Sequence, residues 1–159
     1  MSKQHSPSII VSIDIVKPLI NALNEVTQDS DVSPAEPYSK ESQFSSGKIP
    51  KITLDDYFKR IIKYCKLEYG TFIGLMIYLD KIAEKIEINS YNIHRLILAA
   101  LVCSYKYTLD YYVSNQFFAK VGGISNTELA MIEASFLEII DYKLYISQEE
   151  YEKYQHFIR

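Results

Sequence analysis

The side chains that most often carry enzyme chemistry are scattered along this sequence. His5, His94 and His156 lie far apart, and none has a carboxylate or cysteine neighbour at metal-ligand spacing. Cys65 and Cys103 stand in apolar helical contexts, which is typical of buried, reduced thiols in an intracellular protein. The pattern predicts no metal site, no cofactor and no catalytic residue, so an enzyme is the least expected class.

Acidic pairs and glycines add no catalytic pattern. Asp55-Asp56 and Glu149-Glu150 each fall in a predicted first helical turn, where the positive end of the helix dipole explains them. The glycines lack the spacing of a loop that cradles phosphates. The function of this chain is therefore expected to be binding rather than catalysis.

Composition and charge favour a globular protein that binds another protein. The chain has 159 residues, 48% of them hydrophobic, and its 17 basic and 20 acidic side chains give a net charge of -3. Because this charge does not attract a polyanion, nucleic acid is not an expected partner. The apolar run at residues 9–16 fits either an extended segment or a helix and is about half the length of a membrane span, so no membrane association is expected. The 14 tyrosines suit a protein-binding surface, and cytoplasm and nucleus are the expected locations.

The distribution of prolines predicts the domain boundaries. All five prolines lie in the first fifty residues, so the proline-free remainder favours an all-helical domain. Residues 1–50 are predicted to form an N-terminal extension with a short amphipathic helix near Pro18 and a flexible, Ser/Pro-rich linker at 27–50. The helical domain is predicted to cover 51–146, and a C-terminal helix 147–159.

Hydroxyl side chains in front of apolar helical patterns predict where the helices begin. In chain order, these predicted caps are Thr53, Thr71, Ser90, Ser125 and Ser147. A short helix from about 114 to 121, ended by two glycines, is predicted between the third and fourth caps.

The third helix of the predicted domain is apolar on every side. Residues 96–103 are eight consecutive uncharged residues, and charge returns only at Lys106. A helix without a polar face is buried all round, and this one is too short to span a bilayer. The predicted fold class is therefore all-α, a helical bundle around a buried central helix with flanking N- and C-terminal helices.

Two further patterns allow a functional and an ordinary interpretation. Ser6-Pro7 and Ser33-Pro34 match minimal proline-directed phosphorylation sites, although chance produces such dipeptides in Ser-rich segments. The aromatic residues between 105 and 118 would suit base stacking, but the lack of surrounding Lys and Arg favours a core with a protein-binding rim.

Four stretches of the sequence, taken in order, carry a family pattern. They are YLDK at 78–81, HRL at 94–96, SNQFFAKVGGIS at 114–125 and DYKLYIS at 141–147. Together they resemble the cyclins, and within them the P-type, or Pho80-like, branch, over about residues 52–155. The resemblance implies the cyclin fold, a single box of five helices around a buried third helix, with no second box.

The resemblance also implies a regulatory function. Cyclins lack catalysis of their own; they bind a cyclin-dependent kinase beside its C-helix and favour its active conformation, in cell-cycle or nutrient-responsive control. The family's kinase-contacting Lys and Glu match Lys106 and Glu133, and its apolar contact positions match Leu137, Tyr142 and Leu144. The expected partner is a Pho85-like or PSTAIRE-type cyclin-dependent protein kinase.

Other family positions match only in part. Asp80 matches the family's second-helix Asp, with Arg60 as its expected structural partner and Lys81 where the family usually has Arg. Thr108 and Leu109 replace an acidic pair that commonly contacts the kinase. The substrate-docking signature of mitotic-type cyclins, with its Trp, is missing from the first helix, so docking of that kind is not expected.

Two alternatives from other classes stay open. A transcription-related cyclin-fold protein would bind DNA and polymerase, which usually goes with a basic face and two boxes. A cyclin-fold scaffold would bind a partner such as a phosphatase without activating a kinase. The match at Lys106 and Glu133 favours kinase binding over both.

Overall fold

Helices form nearly all of the regular structure. The computed structural model describes residues 9–29, 43–109 and 113–158. Its helices are α1 (Ile13–Asp29), α2 (Leu54–Cys65), α3 (Tyr69–Ala83), α4 (Ile93–Thr108), α5 (Asn115–Gly122), α6 (Asn126–Ile139) and α7 (Gln148–Phe157). The predicted all-α class is confirmed. Among the described helices, none combines the length and the apolar character needed to cross a membrane.

α4 occupies the centre of the bundle. It packs against α3, α5 and α6, and its uncharged residues 96–103 are at most 3% exposed. Burying one leucine or isoleucine stabilises a fold by about 1.5 to 3 kcal/mol, so a helix without a polar face is stable only in such a position. The predicted buried central helix is confirmed, and Lys106 reaches solvent at its C-terminal end.

Two glycines allow neighbouring helices to approach α4 closely. A Cβ atom on Gly74 of α3 would overlap the Ser104 side chain, and one on Gly122 of α5 would overlap Leu98. The Ser104 hydroxyl donates to the Thr71 carbonyl oxygen at 2.7 Å, which joins α4 to the first turn of α3. These contacts fix the distances of α3 and α5 from α4.

Side-chain caps set the first residues of four helices. Thr53, Ser114, Ser125 and Ser147 accept backbone N–H groups from the first turns of α2, α5, α6 and α7. The cap of α6 is a full capping box, in which Glu128 bonds back to the Ser125 N–H. These predicted boundaries are confirmed, because each depends on sequence within one helical turn.

The predicted start of α3 is wrong. The helix begins at Tyr69 rather than after Thr71. Glu68, the residue before it, is held extended by an antiparallel bridge to Ile10, and the Tyr69 N–H donates to the Ile9 carbonyl oxygen at 2.8 Å. Pairing with a distant segment therefore sets this boundary, instead of a local cap.

The predicted start of α4 is wrong as well. The helix begins after Asn92 rather than after Ser90. Asn92 Oδ1 accepts the Asn89 N–H at 2.9 Å, and Asn89 Oδ1 accepts the Asn92 N–H at 3.1 Å. Both asparagines are buried, so this closed turn leaves Ser90 ahead of the helix.

The N-terminal segment is packed against the bundle. The Val11 N–H donates to the Leu67 carbonyl oxygen at 2.8 Å, and α1 begins at Ile13, so the run at 9–16 is extended in its first half and helical in its second. Pro18 lies inside α1 rather than in its first turn, and the helix is longer than the predicted short one. α1 packs against α2 and buries Val16, Ile20 and Leu23.

Residues 43–50 do not form the predicted flexible linker. Phe44 is fully buried, and its ring meets that of Phe136 in α6 edge to face at a centroid distance of 6.4 Å. The Gln43 carbonyl oxygen accepts a hydrogen bond from Arg95 Nη1 at 3.2 Å. The linker at 30–42 and both Ser-Pro dipeptides lie outside the described residues.

Candidate functional site

Lys106 and Glu133 form an ion pair at the C-terminal end of α4. Lys106 Nζ lies 2.7 Å from Glu133 Oε1 and 3.1 Å from Oε2, although the two residues are 27 positions apart. The pair forms because the last turn of α4 packs against the middle of α6. Asn115, the first residue of α5, donates from Nδ2 to Glu133 Oε2 at 3.2 Å. Three helices therefore meet at one carboxylate.

The cationic side of this pair is open to solvent. The Lys106 side chain is 41% exposed, whereas the Glu133 side chain is 14% exposed. The ammonium lies at the C-terminal end of α4, where the helix dipole favours a positive charge. An ion pair this accessible contributes about 0 to 1 kcal/mol to folding, so its main effect is to hold a cation at a fixed place on the surface.

Three apolar positions continue from the ion pair. Leu137 lies one helical turn after Glu133 on the same face of α6 and is half-buried. Its carbonyl oxygen accepts the Tyr142 N–H at 2.8 Å, and the Tyr142 carbonyl oxygen accepts the Leu144 N–H at 3.0 Å. Tyr142 is 65% exposed, whereas Leu144 packs against the core. The five residues Lys106, Glu133, Leu137, Tyr142 and Leu144 are called the Lys106 surface below.

Two side chains of α3 hold the segment that follows α6. The buried Tyr78 donates its hydroxyl hydrogen to the Leu144 carbonyl oxygen at 2.7 Å. Lys81 Nζ donates to the Lys143 carbonyl oxygen at 2.8 Å. Sequence reasoning missed both positioning contacts, although both residues belong to the YLDK stretch that carried part of the resemblance.

Exposed apolar side chains lie on the same elements. Asp141 and Tyr142 have positive φ values of 58° and 54°, so the chain reverses directly after α6 and leaves Tyr142 in solvent. Tyr107, Met131 and Tyr145 are between 46 and 75% exposed. Accessible aromatic and methionine side chains are typical of protein-binding surfaces.

The expected pair of Arg60 and Asp80 does not form. Arg60 Nη1 donates to the Val121 carbonyl oxygen at 3.3 Å, and Asp80 accepts a hydrogen bond from the Tyr154 hydroxyl. The two residues have different partners because α2 packs against α1 and α5, whereas α3 packs against α4 and α7. Both side chains join helices, but not to each other.

The two cysteines are free and buried, as predicted. Burial raises the pKa of the Cys65 thiol to about 12. The pKa of the Cys103 thiol is also raised to about 12, first by burial and then by the Glu133 carboxylate. Neither thiol ionises near neutral pH, so neither is a nucleophile in the folded chain. Within the described residues, no group of three or more His, Cys, Asp or Glu is placed to hold a metal ion.

Comparison with known proteins gives matches along most of the chain. The family model described as Cyclin matches residues 8–144. The chain is 33% identical to the PHO85 cyclin-like protein psl1 of Schizosaccharomyces pombe, over 97% of this chain and 68% of that protein. It is 36% identical to Cyclin-U4-3 of Arabidopsis thaliana, over 76% of this chain and 56% of that protein. Its identity to PHO85 cyclin-7 of Saccharomyces cerevisiae is 32%, over 94% of this chain and 59% of that protein. The chain thus spans between about half and two thirds of the length of these curated relatives.

Proposed function

The chain belongs to the cyclin family, and from this membership we propose that it binds a cyclin-dependent protein kinase and activates it through the Lys106 surface. Cyclins are non-catalytic regulatory subunits, so the chain is a regulator and not an enzyme. The observation that carries the proposal is the ion pair of Lys106 and Glu133, which stands on an accessible edge of the bundle.

The arrangement of the Lys106 surface suits a protein interface. Glu133, which also accepts a hydrogen bond from Asn115, holds the Lys106 ammonium in place before a partner arrives, and this lowers the entropy cost of binding. Tyr142 adds a large accessible ring on the turn that follows α6. A fixed cation with aromatic and aliphatic neighbours has the composition of an interface centre.

Activation requires that the chain bind the active kinase conformation more tightly than the inactive one. The population of the active form then rises by the ratio of the two affinities. One fungal relative is named PHO85 cyclin-7 and another PHO85 cyclin-like protein psl1, which supports a Pho85-like kinase as the partner, with a PSTAIRE-type kinase as the other choice. The complex is proposed to act in cytoplasm and nucleus, which imaging of the tagged chain would test.

The decisive experiment exchanges the two charges. In the double variant Lys106→Glu, Glu133→Lys the internal pair is retained with its polarity reversed, so the partner meets the wrong sign. The variant must keep the helical circular dichroism of the wild-type chain, which shows that the fold is preserved. Losing a desolvated interfacial charge contact costs about 2 to 5 kcal/mol, so the dissociation constant for the kinase is expected to rise about thirtyfold or more. Peptide phosphorylation by the purified kinase should fall in parallel.

A matched control exchanges charges elsewhere. Lys59→Glu, Glu25→Lys makes the same change on exposed positions of α2 and α1 and is expected to leave kinase binding and activation unchanged. Binding without activation by the wild-type chain would favour the scaffold. An equal loss in both double variants, or no binding to any cyclin-dependent kinase of the same cell, would contradict the proposal.

A further inference from the structure

A concave surface lies at the opposite end of α4 from the Lys106 surface. It is a cavity of about 320 Å³ between α2, the first turns of α4 and the turn that joins α5 to α6. Three cationic side chains line it, Lys48, Arg60 and Arg95, and none of its lining residues is acidic. We call it the Arg60 cavity.

Two of these cations lack an acidic partner. Among the described residues, neither Lys48 nor Arg60 has a carboxylate oxygen within 4.0 Å. Arg60 uses one donor, Nη1, on the Val121 carbonyl oxygen at 3.3 Å, and the guanidinium has four others. Arg95 pairs with Glu128 at 3.2 Å, so one of the three positive charges is neutralised at the rim.

His94 also lines the cavity and adds no positive charge. Its Nε2 lies 2.9 Å from the Ile52 carbonyl oxygen, and burial lowers the pKa of the ring below its usual value. The imidazole is therefore neutral near pH 7. With Arg95 neutralised by Glu128, the cavity carries an excess of about two positive charges, although the net charge of the protein is -3.

We propose that the Arg60 cavity binds the phosphoryl group of a phosphoserine or phosphothreonine in a partner protein. Such a group carries a charge of about -1.5 to -2 near pH 7, which matches the local excess. The free N–H fork of an arginine binds two phosphate oxygens at once. The apolar walls formed by Ile52, Leu98 and Ile124 would receive a side chain next to the phosphorylated residue.

The walls and the overall charge favour a peptide over other anions. An inorganic ion would leave the apolar walls uncovered, and the negative net charge of the chain opposes a nucleic-acid polyanion. The cavity is also separate from the Lys106 surface. Arg95 and Lys106 are eleven positions apart on α4, a rise of about 16 Å, so both sites can be occupied together.

Fluorescence anisotropy of a labelled peptide tests the proposal without a kinase. The probe is fluorescein-labelled Gly-Leu-phosphoserine-Leu-Gly, and its unphosphorylated twin is the control ligand. The phosphorylated peptide should bind, with an affinity that falls as salt is raised. Hydrogen bonds to charged groups are the strong ones, so Arg60→Gln is expected to weaken binding by about tenfold or more. Lys48→Gln should weaken it less, because that side chain is exposed.

Lys59→Gln is the matched control, because Lys59 lies next to Arg60 on α2, is exposed and does not line the cavity. It should leave binding of the peptide unchanged. Should Arg60→Gln fail to keep its helical circular dichroism, Lys48→Gln carries the test alone. Equal binding of the unphosphorylated twin would overturn the proposal, as would an equal loss with Lys59→Gln. Displacement of the probe by inorganic phosphate at the concentration that suffices for unlabelled peptide would also overturn it, because the cavity would then select only the ion.

Discussion

Substitution of Phe44 tests whether residues 43–50 belong to the folded domain. The Phe44 side chain is fully buried, and its ring meets Phe136 at a centroid distance of 6.4 Å. Replacing a buried phenylalanine by alanine removes its transfer free energy and leaves a cavity, which together cost about 3 to 5 kcal/mol. Phe44→Ala should lower the free energy of unfolding by that amount, which is a large share of the roughly 5 to 15 kcal/mol of a typical domain.

Two companion variants separate packing from other effects. Phe44→Leu keeps most of the apolar volume and should cost about 1 to 2 kcal/mol. Ile49 is 50% exposed in the same segment, so Ile49→Ala should change stability by about 0.5 kcal/mol or less. Urea denaturation followed by far-UV circular dichroism measures all three, with an unchanged m value showing that the same surface unfolds. A loss below about 1 kcal/mol for Phe44→Ala would refute the packing of residues 43–50 and favour the flexible linker.

Three other perturbations follow from single contacts. Tyr78→Phe removes the hydrogen bond to the Leu144 carbonyl oxygen, so the free energy of unfolding measured in urea should fall by about 1 to 3 kcal/mol. Kinase binding should weaken as well, and unchanged stability would contradict the contact. Burial lowers the pKa of the His94 ring from 6.5, so the unfolded chain binds a proton at this ring more readily than the folded chain does. The stability that the neutral ring contributes is therefore full above about pH 6.5 and is lost as pH falls through the folded pKa. His94→Gln should therefore flatten the fall in urea midpoint on acidification, and an unchanged slope would exclude this origin. Both cysteines should react with a thiol reagent at mildly alkaline pH only after urea unfolds the chain; fast reaction of the folded chain would contradict their burial.

Boundaries that depend on one helical turn were predictable from the sequence. Thr53, Ser125 and Ser147 cap their helices as expected, because a hydroxyl and the N–H three residues later are enough to form the bond. The buried position of α4 was predictable for a similar reason. Its eight consecutive uncharged residues give the helix no polar face to expose to solvent.

Features that depend on distant segments were not predictable. The start of α3 is set by Ile10, and the partner of Arg60 is set by which helix lies against α2. No spacing in the sequence brings Lys106 and Glu133 together either. The family resemblance placed both on a kinase-contacting surface, and the packing of α4 against α6 brings them into contact. The Arg60 cavity escaped prediction altogether, since its three cations come from separate parts of the chain.

The backbone pairing between residues 9–11 and 67–69 also sets an order of events during synthesis. The hydrogen bond from the Val11 N–H to the Leu67 carbonyl oxygen cannot form until Leu67, 56 positions later in the chain, has been synthesised. At about 5 to 20 residues per second, this wait lasts roughly 3 to 11 s. Through that interval the apolar face of α1, with Val16 and Ile20, has no bridge to hold it against the bundle. During synthesis the apolar face of α1 therefore stays exposed until α2 and Leu67 have followed it.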